Sequence, residues 1–200
     1  AIRNHGENVV APLGVADITN LIGFNFRLTE LQAAIGLEQL KKIDRLVAER
    51  EAISQRLSRE LAGLPGLTPP LVRSDCRHVY YVWMARYDEA ATGVPRKRVV
   101  DALNAEGVPA AEGYVAPLYL LPAFQQRKAI GRDGWPFSLT ERKYGQGLCP
   151  VSERMHDQEI IEFCVCSHQL GDAELGGVIE GFHKVFANLD ALRDQPTKLP

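Results

Sequence analysis

Cysteine is scarce in this 200-residue chain: four residues, Cys76, Cys149, Cys164 and Cys166. They are too sparse for a disulfide scaffold, and the pattern reads as that of a cytosolic protein. Long apolar runs are missing too. None approaches the ~20 residues that a membrane-spanning helix needs, and no charged-then-apolar leader is visible. Neither sign of charge is in excess: 23 Lys and Arg stand against 25 Asp and Glu, a formal net charge of −2, with a pI near 6.2. A nucleic-acid binder carries a basic excess or a basic stripe, and neither is present. With 17 Gly and 12 Pro, the chain has too few of either for a collagen-like or low-complexity protein. Short catalytic signatures are absent as well. There is no Gly-rich phosphate loop, Gly-x-Ser-x-Gly elbow or His-Glu-x-x-His, and His5, His78, His156 and His183 fall outside any base–nucleophile arrangement.

What is present is the composition of a globular protein, 46% hydrophobic and 24% charged, long enough to bury roughly 70% of its unfolded surface. Residues 1–22 mix turn formers with apolar residues and read as a loop. Thr29-Glu30-Leu31-Gln32 fits a capping box. Behind it a helical stripe runs from Glu30 to about Leu61, carrying Leu40, Ile43, Val47, Leu57 and Leu61. A helix of that length spans about 48 Å, too long for one small domain, so it either crosses between domains or pairs as a coiled coil. Gly63-Leu64-Pro65-Gly66 stops it. Downstream, the pattern predicts a strand from His78 to Tyr87, a helix from Arg96 to Ala105 and a short strand over Val108–Ala111. It then predicts a long aromatic loop over 112–136 and a helix from Leu139 to Gln146. A strand over Ile160–Val165 follows, then a last helix capped by Asp172 and running to about Leu192, with a polar frayed tail from Asp194. The expected division is residues 1–62, with the long helix, and a compact αβ domain over 63–200.

Two motifs bear on chemistry. Gly23-Phe24-Asn25-Phe26-Arg27 precedes the capped helix, whose unpaired N–H groups and dipole attract anions. The Asn25 amide and Arg27 fork could hold a phosphate or carboxylate there; alternatively Asn25 makes a turn and Arg27 pairs with an acidic neighbour. Cys164-Val165-Cys166-Ser167-His168 has the look of a metal cluster, but zinc sites use Cys-x2-4-Cys pairs and four ligands. Buried cysteines on a strand are the better reading, so no metal site is expected. Nor do these motifs complete an active site.

Taken together, Arg3-Asn4-His5-Gly6 and the run from Gly23 through Glu30-Leu31-Gln32-Ala33-Ala34 to Leu40 resemble the DegT/DnrJ/EryC1/StrS family of PLP-dependent sugar aminotransferases. Tyr80-Tyr81, Gly107-Val108, Pro117-Leu118-Tyr119 and Cys149-Pro150-Val151-Ser152-Glu153 are similar to its later segments. The resemblance implies an α/β chain, the C-terminal part of a type I PLP-dependent transferase fold: the end of the large domain, a long connecting helix and a small αβ domain. It implies a cytoplasmic homodimer that binds pyridoxal 5'-phosphate and transfers an amino group from glutamate or glutamine to a keto-sugar, with no nucleic-acid or membrane partner. In the family the Schiff-base lysine lies upstream of the Arg-Asn-His-Gly step, so it is expected upstream of Ala1. The chain, which opens without Met, reads as the interior of something longer and as inactive alone. Asn25 matches the residue that reaches the partner's PLP phosphate. Arg27, Tyr114 and Tyr119 match the substrate wall, although many members carry His where Tyr119 stands. A non-catalytic dimerisation or partner-binding module built on the long helix is the alternative, and a regulatory member that keeps the fold without catalysis is a third.

Overall fold

The computed structural model describes residues 23–165 and 170–193. The expectations for residues 1–22, for Cys166 and His168, and for the tail from Asp194 lie outside the described residues. The chain divides into two compact units, residues 1–46 and 47–200, so the boundary falls inside a helix, whereas the sequence division was drawn after residue 62.

In the first unit, α1 (Glu30–Leu40) begins as the sequence dictates. The Thr29 hydroxyl accepts from the Gln32 N–H, and the Gln32 side chain accepts from the Thr29 N–H, the reciprocal capping box. The stripe does not continue as one helix. At Lys41-Lys42 the Lys42 N–H turns back to the Gln39 carbonyl at 3.0 Å, a 3₁₀-type tightening that separates α1 from α2 (Ile43–Glu60). No Gly or Pro marks that break. Every residue from Phe24 to Arg45 is exposed, among them Leu28, Leu31, Ile35, Leu37 and Leu40.

The second unit is built on a small sheet. Its strands are β1 (Leu67–Thr68), β2 (Trp83–Tyr87), β3 (Ala110–Glu112) and β4 (Ile160–Phe163), in the order β1-β2-β4-β3 with every neighbour antiparallel. Strand alternation sends Trp83, Ala85, Tyr87, Ile161, Phe163 and Ala110 to one face. There they are buried with Val99, Val100 and Leu103 of α4 (Arg96–Ala105) and Leu175, Ile179, Phe182 and Phe186 of α7 (Asp172–Ala187). Leu57 and Leu61, at the end of α2 and just beyond it, belong to the same core. Trp83 meets Phe182 edge-on at 6.1 Å, and Tyr87 meets Phe186 at 6.3 Å. Between β2 and α4 lies the one-turn α3 (Glu89–Thr92). α8 (Leu189–Arg193) follows α7 after a break at Asn188, whose side chain donates to the Lys184 carbonyl at 2.7 Å. Gly171 is the N-cap and Asp172 the first helical residue.

Three other local expectations are corrected. The strand starts at Trp83 because Tyr80 adopts φ 48 and its N–H donates to the His78 ring at 2.9 Å, turning the chain out of extension. The loop over 112–136 holds a 3₁₀ turn (Leu118–Leu120) and α5 (Pro122–Gln125). No helix forms over 139–146: only Phe137–Leu139 makes a 3₁₀ turn. The Arg127 guanidinium takes the Phe137, Thr140 and Arg142 carbonyls, acceptors that a helix would have used.

Candidate functional site

Asn25 and Arg27 come together in the first unit. Arg27 Nε donates to Asn25 Oδ1 at 3.1 Å, which fixes the amide and leaves Nδ2, the donor end, free to point elsewhere. Arg27 therefore engages Asn25 itself, at least in part, where the sequence had suggested an acidic partner. The capping box satisfies the Gln32 N–H and the Ala33 N–H bonds the Thr29 carbonyl at 2.9 Å. The earlier N–H groups of the first turn lie beyond those bonds.

Tyr114 and Tyr119 lie in the second unit, and the structure gives them different surroundings. Tyr119 is half-buried and donates its hydroxyl to Glu153, while accepting the Cys149 N–H at 3.2 Å. Loss of water, and then the bond to Glu153, pushes the phenol up to about 12. Glu153 is buried in α6 (Pro150–Arg154), and its carboxylate also collects the Gly147 N–H at 2.8 and 2.9 Å. The Tyr119 bond first, then these backbone donors, hold its carboxyl below the ordinary range. The sequence motif Cys149-Pro150-x-x-Glu153 is thus a carboxylate wrapped by the loop that precedes its own helix.

Tyr114 is exposed and meets Tyr81 edge-on at 6.4 Å. It follows Gly113, whose φ of 73 and approach to His156 leave no room for a side chain. His156 belongs to a π turn (Met155–Glu159) that Arg96 holds in place. The Arg96 guanidinium is buried and donates to the His156, Asp157 and Ile160 carbonyls at 2.8–3.1 Å and to Glu112 at 3.2 Å. Arg96 and Glu153 were not singled out by the sequence. Arg96 occupies an ordinary helix start after Pro95, and only its burial reveals its role.

No group of three or more potential metal ligands occurs among the described residues. Cys164 lies just past the end of β4 and is half-exposed, not buried on the strand as expected, and its thiol donates to the Tyr81 carbonyl at 3.9 Å. No helix among the described residues is long and apolar enough to cross a membrane.

The mixed α/β architecture with its small antiparallel sheet is an aminotransferase fold. It superposes on an aminotransferase from Psychrobacter cryohalolentis with a TM-score of 0.68 at 22% identity, over 94% of this chain and 48% of that one. A DegT DnrJ EryC1 StrS aminotransferase from Brucella abortus gives 0.64 at 23% identity, over 92% and 41%. The family model of the DegT/DnrJ/EryC1/StrS aminotransferases matches residues 1–166, and the chain belongs to that family. Among curated relatives, the spore coat polysaccharide biosynthesis protein SpsC of Bacillus subtilis is 29% identical over 69% of this chain and 35% of its own length. A putative L-glutamine:3-amino-2,3-dideoxy-scyllo-inosose aminotransferase of Streptoalloteichus tenebrarius is 33% identical over 86% and 42%. The chain thus spans about two fifths of the length of these relatives.

Proposed function

We propose that this chain is the C-terminal portion of a PLP-dependent aminotransferase that moves an amino group from glutamate or glutamine to a keto-sugar, nucleotide-linked in this reading. Family membership supports the aminotransferase part. The observation that carries the cofactor part is the Asn25 amide, oriented by Arg27 four residues before a capped helix.

These residues fit one corner of a phosphate site: an outward amide donor, a neighbouring guanidinium and a helix start with positive dipole. Bound there, PLP would supply the electron sink for amino transfer. Asn25 would donate to the phosphate of the partner subunit's cofactor, and Arg27 would keep the amide turned toward it. In the second unit, Glu153 fixes the Tyr119 hydroxyl, so that its ring forms a rigid wall for the sugar, and Tyr114 presents an accessible phenol. Lys41, Lys42, Lys97, Lys128, Lys143, Lys184 and Lys198 all lack the sequence context of the cofactor lysine. The chain alone should therefore be inactive. Homodimerisation in the cytoplasm completes the reading, supported by the exposed apolar residues of α1 and the sparse cysteines.

The module alternative draws on the same exposed helix. The break at Lys41-Lys42 speaks against a continuous coiled coil over the predicted length, which leaves the enzyme reading the stronger.

The test is Asn25→Ala in the intact protein. Loss of one hydrogen bond to a charged phosphate predicts a roughly ten- to hundred-fold weaker hold on PLP, with the melting temperature of the cofactor-free form unchanged. Unchanged PLP dissociation with a lowered melting temperature would make Asn25 a turn former and remove it from the site.

A further inference from the structure

The sheet face opposite the core has no described helix to account for a carboxylate that sits on it. Glu162 lies in the middle of β4, an otherwise apolar strand, and pairs in register with Met84 on β2 and Ala111 on β3. Neither side chain carries a hydrogen-bond donor. Its Oε2 is buried and has no hydrogen-bond partner. A carboxylate in that position is costly unless a donor reaches it.

Beside it stand two exposed aromatic rings, Tyr81 and Tyr114, packed edge to face. Glu162 is close enough for its charge to raise the Tyr114 phenol, after the larger effect of lost water and alongside Tyr81 and Cys164. Burial likewise pushes the Glu162 carboxyl up. The arrangement is an acceptor without a donor, bordered by rings that each offer an apolar face and a hydroxyl.

We propose that Glu162, Tyr81 and Tyr114 form a subsite for vicinal hydroxyls of a saturated, sugar-type ring, with Glu162 as the acceptor and the tyrosines as the wall against the ring. The proposal rests on the reading of the chain as part of an enzyme acting on a keto-sugar, and assigns to that substrate a contact that neither the family match nor the sequence motifs supply. A neutral diol suits the carboxyl better than a cation does. Burial already disfavours the charged form that a cation needs, whereas a diol bonds a carboxyl in either protonation state.

The experiment measures binding of myo-inositol, an uncharged polyol, to the intact protein by saturation-transfer NMR and calorimetry. Glu162→Met should weaken that binding about tenfold or more. It should leave the melting temperature unchanged or raise it, because the orphaned carboxyl is gone. Tyr114→Ala should weaken binding without disturbing the sheet. Four results would each overturn the proposal: no myo-inositol binding by the unaltered protein, equal affinity in Glu162→Met, a melting temperature lowered by Glu162→Met, or a response to tetramethylammonium in place of the polyol. Weakened PLP retention in Asn25→Ala with unchanged polyol affinity in Glu162→Met would sink this subsite while leaving the aminotransferase reading intact.

Discussion

Replacing Arg96 by Met would remove the buried group on which the aromatic end of the second unit depends. The guanidinium bonds three carbonyls, those of His156, Asp157 and Ile160, and the Glu112 carboxylate. Methionine keeps most of the stem's packing and supplies no donor. The Ile160 carbonyl retains the Gly113 N–H at 3.0 Å; the His156 and Asp157 carbonyls and Glu112 lose the partner that held them. Removing one member of a buried charged network costs about 3–5 kcal/mol, a large part of a total of roughly 5–15 kcal/mol. For a chain of this size each kcal/mol is worth about 2–4 °C, so the melting temperature should fall by roughly 6–20 °C. Arg96→Lys should be intermediate, because one ammonium cannot span three carbonyls and a carboxylate. The π turn also carries His156, against which Gly113 packs, so Tyr114 should become more mobile in the same variant. Calorimetric melting of the two variants, with relaxation measurements on Tyr114, checks this. A loss below about 1 kcal/mol for Arg96→Met would show that water replaces the guanidinium at no cost and that the buried network is not what holds the turn.

Two further outcomes are expected. The Tyr119 phenol should titrate at about 12 in the ultraviolet difference spectrum, and in Glu153→Gln it should move toward the ordinary value of 10. Since the folded value is raised, the stabilisation linked to Tyr119 is full below about pH 10 and fades as pH rises from 10 to 12. Glu153 has the opposite sign: its contribution is present above the ordinary carboxyl value of 4.5 and is lost as pH falls through its lowered one. The apolar residues left exposed along α1 should drive self-association, so sedimentation at micromolar concentration should show a dimer or larger species; a clean monomer would refute it.

Local chemistry was legible wherever it closes within a few residues. The Thr29–Gln32 capping box is written in four letters, and the structure forms both of its bonds. The α4 helix after Pro95 and the strand over Ile160–Phe163 follow from periodicity and β-branched content alone. Family membership was legible in the run from Gly23 to Leu40, because the residues preceding a helix N-terminus are constrained in both type and spacing.

Tertiary structure decided what depends on distant partners. Nothing in Leu139–Gln146 announces that an arginine twelve or more residues upstream will take its carbonyls, so helical propensity lost to a side chain that a local pattern cannot contain. Arg96 reads as one of several surface cations until its three carbonyl partners, some sixty residues away in sequence, enclose it. The same holds for the candidate site. Sequence placed Asn25 and Arg27 side by side, and proximity in the chain made their bond accessible. By contrast, only the strand register puts Glu162 between Met84 and Ala111, and only the fold brings Tyr81 and Tyr114 into contact. Periodicity records which face a residue takes; which groups share that face, and whether a carboxylate there meets a donor, is fixed when strands far apart in sequence pair.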